Sequence, residues 1–176
     1  STSMLSPFLM IYLQDRFTTN IGTLAIAFIP AAIIYAFLPS KLGGISDKFG
    51  RVMPMAIGLI GSGIVSLGFT HIYSIEMLAI LWVLESIGIV MASPAEEALV
   101  ADIGGKDIRG SAYGLYLFIS SLGAVIGPLI GGWLYDSFGH AIPFYLNGVI
   151  LLSDALLILI LFKGYRKVNC DNRMII

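Results

Sequence analysis

Mostly apolar runs of about twenty residues limit what this chain can fold into more than any other feature of its sequence. Five such runs cover residues 21–40, 52–70, 77–100, 111–135 and 142–162. A helix needs about 20 mostly apolar residues to cross the hydrocarbon core of a bilayer. Backbone polar groups in lipid must be hydrogen-bonded within the protein, and runs of this length suit helices rather than barrel strands. We therefore predict an all-α membrane protein.

A shorter apolar run at residues 4–14 is about half the length of a spanning helix. We interpret it as the end of a first helix that is truncated in this chain. The sequence is thereby divided into one partial span, five full spans and a polar tail at residues 163–176. All of these belong to a single transmembrane domain that covers residues 1–176.

The amino-acid composition of the chain limits the kinds of molecule that it is expected to bind. Only 12% of the residues are charged, whereas soluble domains carry about 25%. The net charge is −1 and the basic residues form no large patch, so no nucleic-acid partner is expected. Cys170 is the single cysteine and no Cys/His cluster has metal-ligand spacing, so we predict no metal and no cofactor. The expected partner is the lipid bilayer.

The basic residues are distributed unevenly between the two sides of the predicted membrane domain. Arg16 is alone on one side, while the other nine lie in alternate connections and in the tail: Lys41, Lys48, Arg51, Lys106, Arg109, Lys163, Arg166, Lys167 and Arg173. Loops rich in Lys and Arg face the cytoplasm. The pattern predicts a multi-pass protein of the plasma or cytoplasmic membrane with a cytoplasmic C-terminus.

An internal repeat relates two segments of the chain. Residues 43–54 read GGISDKFGRVMP and residues 131–143 read GGWLYDSFGHAIP, and both contain Asp-x-Phe-Gly-x-x-x-Pro. Three helix-long segments separate the two copies of this pattern. Because an odd number of membrane crossings lies between them, the second copy is expected on the opposite side of the membrane. This arrangement is typical of an inverted repeat of three plus three helices. Chance similarity between glycine-rich turns is the alternative.

Two motifs resemble those of the major facilitator superfamily of secondary transporters. The first, Gly43-x-x-x-Asp47-Lys48-x-Gly50-Arg51, is similar to the cytoplasmic loop between the second and third helices of each six-helix half, although Val52 replaces its last basic residue. The second resembles the glycine-proline motif of drug/proton antiporters and comprises Gly123, Gly127, Pro128, Gly131 and Gly132. Residues 94–116 are similar to the stretch that leads into that helix.

The resemblance implies one half of a 12-helix bundle that works by alternating access. Expected partners are a small-molecule substrate, a proton or other cation, and either a missing N-terminal half or a second chain. The glycine-proline motif favours multidrug efflux. The N-terminal half of the family usually carries an arginine in its fourth helix, where this sequence has Glu85 in LWVLESIG. We therefore interpret the chain as the C-terminal half.

Two acidic residues lie deep in predicted spans, where ionisable groups are costly and often functional. Glu85 has Gly88 and Ala92 on the same helix face, which indicates contact with protein rather than lipid. In the family the equivalent helix lines the central cavity, so Glu85 is the first candidate for a proton-coupling or cation-binding carboxylate. Asp154, near the middle of the last span, is the second. For both residues, a purely structural role is the alternative.

The remaining candidates lie at the predicted cytoplasmic side. By resemblance, the loop motif braces the two halves of the transporter, whereas the alternative is a plain basic turn. Every fourth residue from Gly123 to Gly131 is glycine, which predicts a smooth face for close helix packing. A group of charged residues forms a candidate ion-pair gate, or else an interfacial rim: Glu96, Glu97, Asp102, Lys106 and Arg109.

Other functional classes fit the sequence less well. A membrane-embedded enzyme needs a nucleophile–base pair or a metal cluster, and the sequence offers neither. We therefore predict that the protein is not an enzyme. A non-transporting membrane module, such as an assembly partner or a degenerate half-transporter, is the alternative function.

Overall fold

The computed structural model describes residues 21–105 and 109–162, which form five α-helices and a short 3-10 turn at Phe69–His71. The helices are α1 (Ile21–Phe49), α2 (Val52–Gly68), α3 (Ile75–Ile103), α4 (Arg109–Phe138) and α5 (Ile142–Leu161). Each is long and apolar enough to span a membrane, and the described residues include no strand. The partial span at 4–14, Lys106 and the tail at 163–176 lie outside the described residues.

Helix α1 is longer than the apolar run from which it was predicted. It continues through both glycines of Gly43-Gly44 and ends only at Phe49, so most of the motif that resembles a loop is helical. At about 1.5 Å per residue, its 29 residues extend over about 43 Å, more than the hydrocarbon core of about 30 Å. The polar end of α1 therefore projects beyond the apolar layer as helix, and the chain reverses at Gly50 and Arg51.

The two copies of the internal repeat form equivalent corners between helices. Gly50 follows the last residue of α1 with φ +86°, and Gly139 follows the last residue of α4 with φ +101°. This left-handed conformation is common just after a helix and favours glycine. Pro54 and Pro143 lie in the first turns of α2 and α5, where a missing N–H breaks no helical hydrogen bond. The shared residues thus specify the same helix–turn–helix geometry twice.

Helix α2 lies between α3 and α5 and approaches both closely. A Cβ atom added at Gly58 would collide with the carbonyl oxygen of Gly88 in α3. At the other side of α2, a Cβ atom at Gly63 would lie 3.2 Å from the carbonyl oxygen of Gly148 in α5. In lipid, helix association depends on such close packing, because the hydrophobic effect does not distinguish lipid tails from apolar side chains.

Buried hydroxyl groups link these three helices. The Ser62 hydroxyl donates to the backbone oxygen of Glu85 at 3.3 Å, and the Ser66 hydroxyl donates to the backbone oxygen of Phe144 at 3.1 Å. The Asn147 amide nitrogen in turn donates to the Ser66 hydroxyl oxygen at 3.0 Å. These buried bonds connect α2 to α3 and to α5.

An aromatic cluster fills the end of the bundle opposite to the Gly50 corner. Phe69 and Phe144 are fully buried with ring centroids 5.9 Å apart, and Trp82 contacts both Phe69 and Phe28 edge to face. Tyr135 joins this cluster from α4. By contrast, Gly131 and Tyr135 are the only buried residues among the 30 of α4, and α4 is the helix that contacts the other described helices least.

Candidate functional site

Glu85 lies in α3 where this helix packs against α2. Its side chain is buried, with 6% of its surface exposed, and Gly88 and Ala92 on the same face are buried as well. The contact with Ser62 described above fixes the backbone of α3 at this residue. The carboxyl group is therefore held in a protein-lined environment within a membrane-length helix.

A tyrosine that was not singled out in the sequence lies next to this carboxyl group. Tyr35 of α1 lies beside Ser86 and Glu85, and the Ser86 hydroxyl donates to the backbone oxygen of Trp82 at 2.7 Å. Glu85, Ser86 and Tyr35 thus form a polar group shared by α1 and α3. The only sequence signal was a hydroxyl-bearing ring in the middle of an apolar run, which does not reveal its partner.

The second candidate, Asp154, lies in α5 and is half-buried. Its carboxyl group lines a cavity between α2, α3 and α5, and Glu96 of α3 lines the same cavity. In the sequence these two residues belong to different groups, because Glu96 is one of the gate candidates. Their contact with a common cavity depends on how α3 and α5 pack.

The remaining gate candidates differ in their contacts and in their exposure to solvent. Asp102 at the end of α3 forms an ion pair with Arg51, at 3.3 Å from the Arg51 Nε atom to Asp102 Oδ2. Glu97 and Arg109 are both exposed. The structure therefore links one acidic gate candidate to the loop motif, and it directs another, Glu96, into the cavity.

The Arg51–Asp102 pair is expected to contribute about 0.2–1 kcal/mol to the free energy of unfolding, because both side chains are partly exposed to solvent. A double-mutant cycle with Arg51→Gln, Asp102→Asn and the double variant, unfolded in mixed micelles, measures this coupling energy. A coupling energy of zero or of the opposite sign would contradict a stabilising pair.

The other residues of the two motifs have different environments. The side chains of Asp47 and Lys48 lie outside the described part of the structure, whereas Gly43 is helical and Gly50 provides the turn. In the glycine-proline motif, Gly131 is buried and Gly127, Pro128 and Gly132 are half-buried. Gly123 is exposed, and an added Cβ atom there would meet nothing within 4 Å. Close glycine contacts in the described chain include those of Gly58 and Gly63 in α2, which approach the backbones of α3 and α5.

Among residues 21–105 and 109–162, no group of three or more His, Cys, Asp or Glu side chains has the geometry to hold a metal ion.

Five membrane-length helices that place buried polar groups between them define an integral, multi-pass α-helical membrane protein. The family model of the Major Facilitator Superfamily matches residues 1–169, and the chain belongs to this family. Its described helices correspond to part of one half of the family's bundle. Members of this family are transporters rather than enzymes.

Several curated proteins are similar to this chain. An uncharacterised MFS-type transporter of Methanocaldococcus jannaschii is 34% identical over 127 residues, which cover 72% of this chain and 32% of the relative. The vesicular acetylcholine transporter of Drosophila melanogaster is 31% identical over 143 residues, covering 81% and 25%. The quinolone resistance protein NorA of Staphylococcus aureus is 27% identical over 164 residues, covering 92% and 41%. The chain therefore spans about a quarter to two fifths of these relatives.

Proposed function

We propose that this chain is part of a secondary active transporter that moves a small organic molecule by alternating access, coupled to a proton or another cation. The observation that carries this proposal is the buried carboxyl group of Glu85 within α3. Membership of the family supports the transport role, and the Glu85 environment supports the coupling role.

The cost of burying a charge explains why Glu85 is the preferred coupling residue. No Lys or Arg occurs at residues 52–105 or 110–162, so these segments supply no basic side chain to pair with it. A carboxyl group in such surroundings is stable when it is protonated or when it holds a cation. Tyr35 and Ser86 provide hydroxyl groups nearby. Exchange between the two forms of Glu85, as the site opens to one side and then to the other, is the proposed coupling step.

The names of two relatives guide the proposed substrate class. One is a quinolone resistance protein and another is a vesicular acetylcholine transporter. Together with the glycine-proline motif, they favour efflux of a small organic molecule. We further propose that this chain forms the C-terminal half of the bundle, and that a second half or a second chain completes the transport pathway.

The sidedness of the protein follows from its basic residues. We propose that the end of the bundle with the Arg51–Asp102 pair faces the cytoplasm, because the sequence predicts nine of the ten basic residues on that side. Asp47 and Lys48 of the loop motif are proposed to brace the bundle against its other half. Glu97, Asp102 and Arg109 are proposed to contribute to a cytoplasmic gate.

Glu85→Gln is expected to reduce gradient-driven transport at least about tenfold, because the neutral amide neither releases a proton nor binds a cation. The full native protein is reconstituted in liposomes, and a pH gradient is imposed across their membrane. Uptake of a fluorescent quinolone is then followed with time, and circular dichroism establishes that each variant is folded.

Glu76→Gln is the matched control, because Glu76 is an exposed glutamate in the first turn of the same helix. It is expected to transport at the unmodified rate. Equal rates for Glu85→Gln and the unmodified protein would remove Glu85 from the coupling role. Absence of quinolone uptake by the unmodified protein would instead argue against this substrate class, and absence of any gradient-driven flux would favour a non-transporting module.

A further inference from the structure

A cavity of about 360 Å³ lies between α2, α3 and α5, away from the Glu85 site. Its lining includes Glu96 and Asp154 but not Glu85. Eleven residues separate Glu85 from Glu96, which places them about 16 Å apart along the axis of α3. The cavity is therefore a second polar site, separate from Glu85, and it is lined by three helices of this chain and open at one side.

The polar groups of the cavity come from two helices that are distant in sequence. Glu96 of α3 and Asp154 of α5 are close enough for their charges to interact. The Tyr116 hydroxyl of α4 is within hydrogen-bonding reach of the Glu96 carboxyl group. None of the ten lining residues is basic. Two carboxyl groups that face one space without a basic side chain in its lining attract a cation, since like charges in a shared low-dielectric site repel each other.

The rest of the lining is mainly aliphatic and includes Met55, Leu59, Leu151 and Ile158. Most ligand sites combine apolar walls with a few polar groups and have volumes of about 300–1,000 Å³. Polar and apolar surface contribute about equally to the lining, so an inorganic cation would leave the apolar half without a partner. A cation with an attached hydrocarbon chain satisfies both parts of the lining.

We propose that this cavity binds an amphipathic amine, with its ammonium group between Glu96 and Asp154 and its hydrocarbon chain against the aliphatic walls. The ammonium group donates hydrogen bonds to the two carboxylates, which a neutral analogue of the same length does not. The same chemistry is available in a free alkylamine and in the headgroup of an aminolipid such as phosphatidylethanolamine. Binding at this site does not depend on the proposed transport function.

Protection of a cysteine placed in the cavity tests the proposal. Ser93 lines the cavity, so Ser93→Cys is introduced into the native protein with its other cysteines, including Cys170, replaced by serine. The variant is placed in nanodiscs of phosphatidylcholine and phosphatidylglycerol and labelled with N-ethylmaleimide. Dodecylammonium at ten times its Kd is expected to slow labelling about tenfold, because only the empty site reacts. Dodecanol is expected to have little effect.

Three controls separate specific binding from a general effect on the membrane. The first control is Ser153→Cys, at an exposed residue of α5. N-ethylmaleimide is expected to label it at the same rate with and without dodecylammonium. The double substitution Glu96→Gln and Asp154→Asn is expected to abolish the protection of the Ser93→Cys thiol by dodecylammonium. Asp136→Asn, at an exposed aspartate of α4, is expected to retain it.

The lipid arm of the experiment distinguishes the two sources of the amine. Slow labelling in discs that contain phosphatidylethanolamine, before any amine is added, identifies the aminolipid as an occupant. Fast labelling in those discs, with protection by dodecylammonium alone, identifies a free amine. Equal labelling with dodecylammonium and dodecanol, without an effect of the aminolipid, would overturn the proposal, and this comparison does not depend on the folding of the carboxyl variants.

Discussion

Replacing Phe144 by alanine is expected to lower the free energy of unfolding by about 2–4 kcal/mol. Phe144 is fully buried, and its ring lies 5.9 Å from that of Phe69 within the aromatic cluster. In water-soluble cores, Phe→Ala substitutions cost about 3–5 kcal/mol. The cost in this bundle is expected to be lower, because lipid tails solvate an exposed ring, but the empty space left among α2, α3 and α5 still loses its packing contacts.

Reversible unfolding in mixed micelles, followed by circular dichroism, measures this change. Phe37→Ala is the matched control, because 70% of the Phe37 side chain is exposed on α1. Its unfolding free energy is expected to change by less than about 0.5 kcal/mol. Similar losses for the two variants would show that the aromatic cluster is not a source of stability.

Adding a single methyl group at Gly58 is the second change with a large expected effect. The Gly58→Ala side chain would collide with the backbone oxygen of Gly88 and would lie 3.0 Å from the Cβ atom of Ala92. Because backbone atoms do not move aside as a flexible side chain does, α2 and α3 must separate. Overpacking of this kind costs about 1–3 kcal/mol. We expect a loss of this size in the same unfolding measurement.

Gly61→Ala provides a control on the same helix, since an added Cβ atom at Gly61 meets nothing within 4 Å. Alanine favours helix over glycine by up to about 1 kcal/mol, so Gly61→Ala is expected to be neutral or stabilising. If Gly58→Ala behaved in the same way as Gly61→Ala, the close approach of α2 and α3 would be contradicted.

Much of the helical architecture was predictable because each signal is local. Twenty apolar residues in a row specify a spanning helix wherever they occur, and the prediction of an all-α bundle is confirmed. The repeated Asp-x-Phe-Gly-x-x-x-Pro segment was also informative, because left-handed glycine and first-turn proline are local requirements of a helix corner. Gly50 and Gly139 have this conformation in both copies.

Features that depend on the facing helix were not predictable from the sequence. A glycine every fourth residue defines a smooth face, but it does not identify what packs against that face. The sequence predicted close packing at Gly123, where an added Cβ atom meets nothing within 4 Å, whereas an added Cβ atom at Gly58 would collide with the backbone of α3. The cavity that Glu96 and Asp154 both line was not predictable for the same reason, because no pattern in α3 indicates which residue of α5 lies opposite.

The residue at which α1 ends was the other feature that the sequence did not predict. The predicted span ended at residue 40 and the motif that follows resembles a loop, but glycine costs only about 1 kcal/mol in a helix interior. Helix α1 accordingly continues to Phe49. The sidedness of the bundle and the roles of Glu85 and the gate residues stay predictions.

The close approach of α2 to α3 has a mechanical consequence. Where backbone meets backbone at Gly58 and Gly88, no side chain is available to change rotamer and absorb a relative movement of the two helices. These helices, with α5 joined by the Ser66 bonds, are expected to move as a stiff unit. Relative movement within this part of the protein is therefore expected outside the α2–α3 contact, and amide hydrogen exchange would detect the stiff unit as slow exchange in α2 and α3.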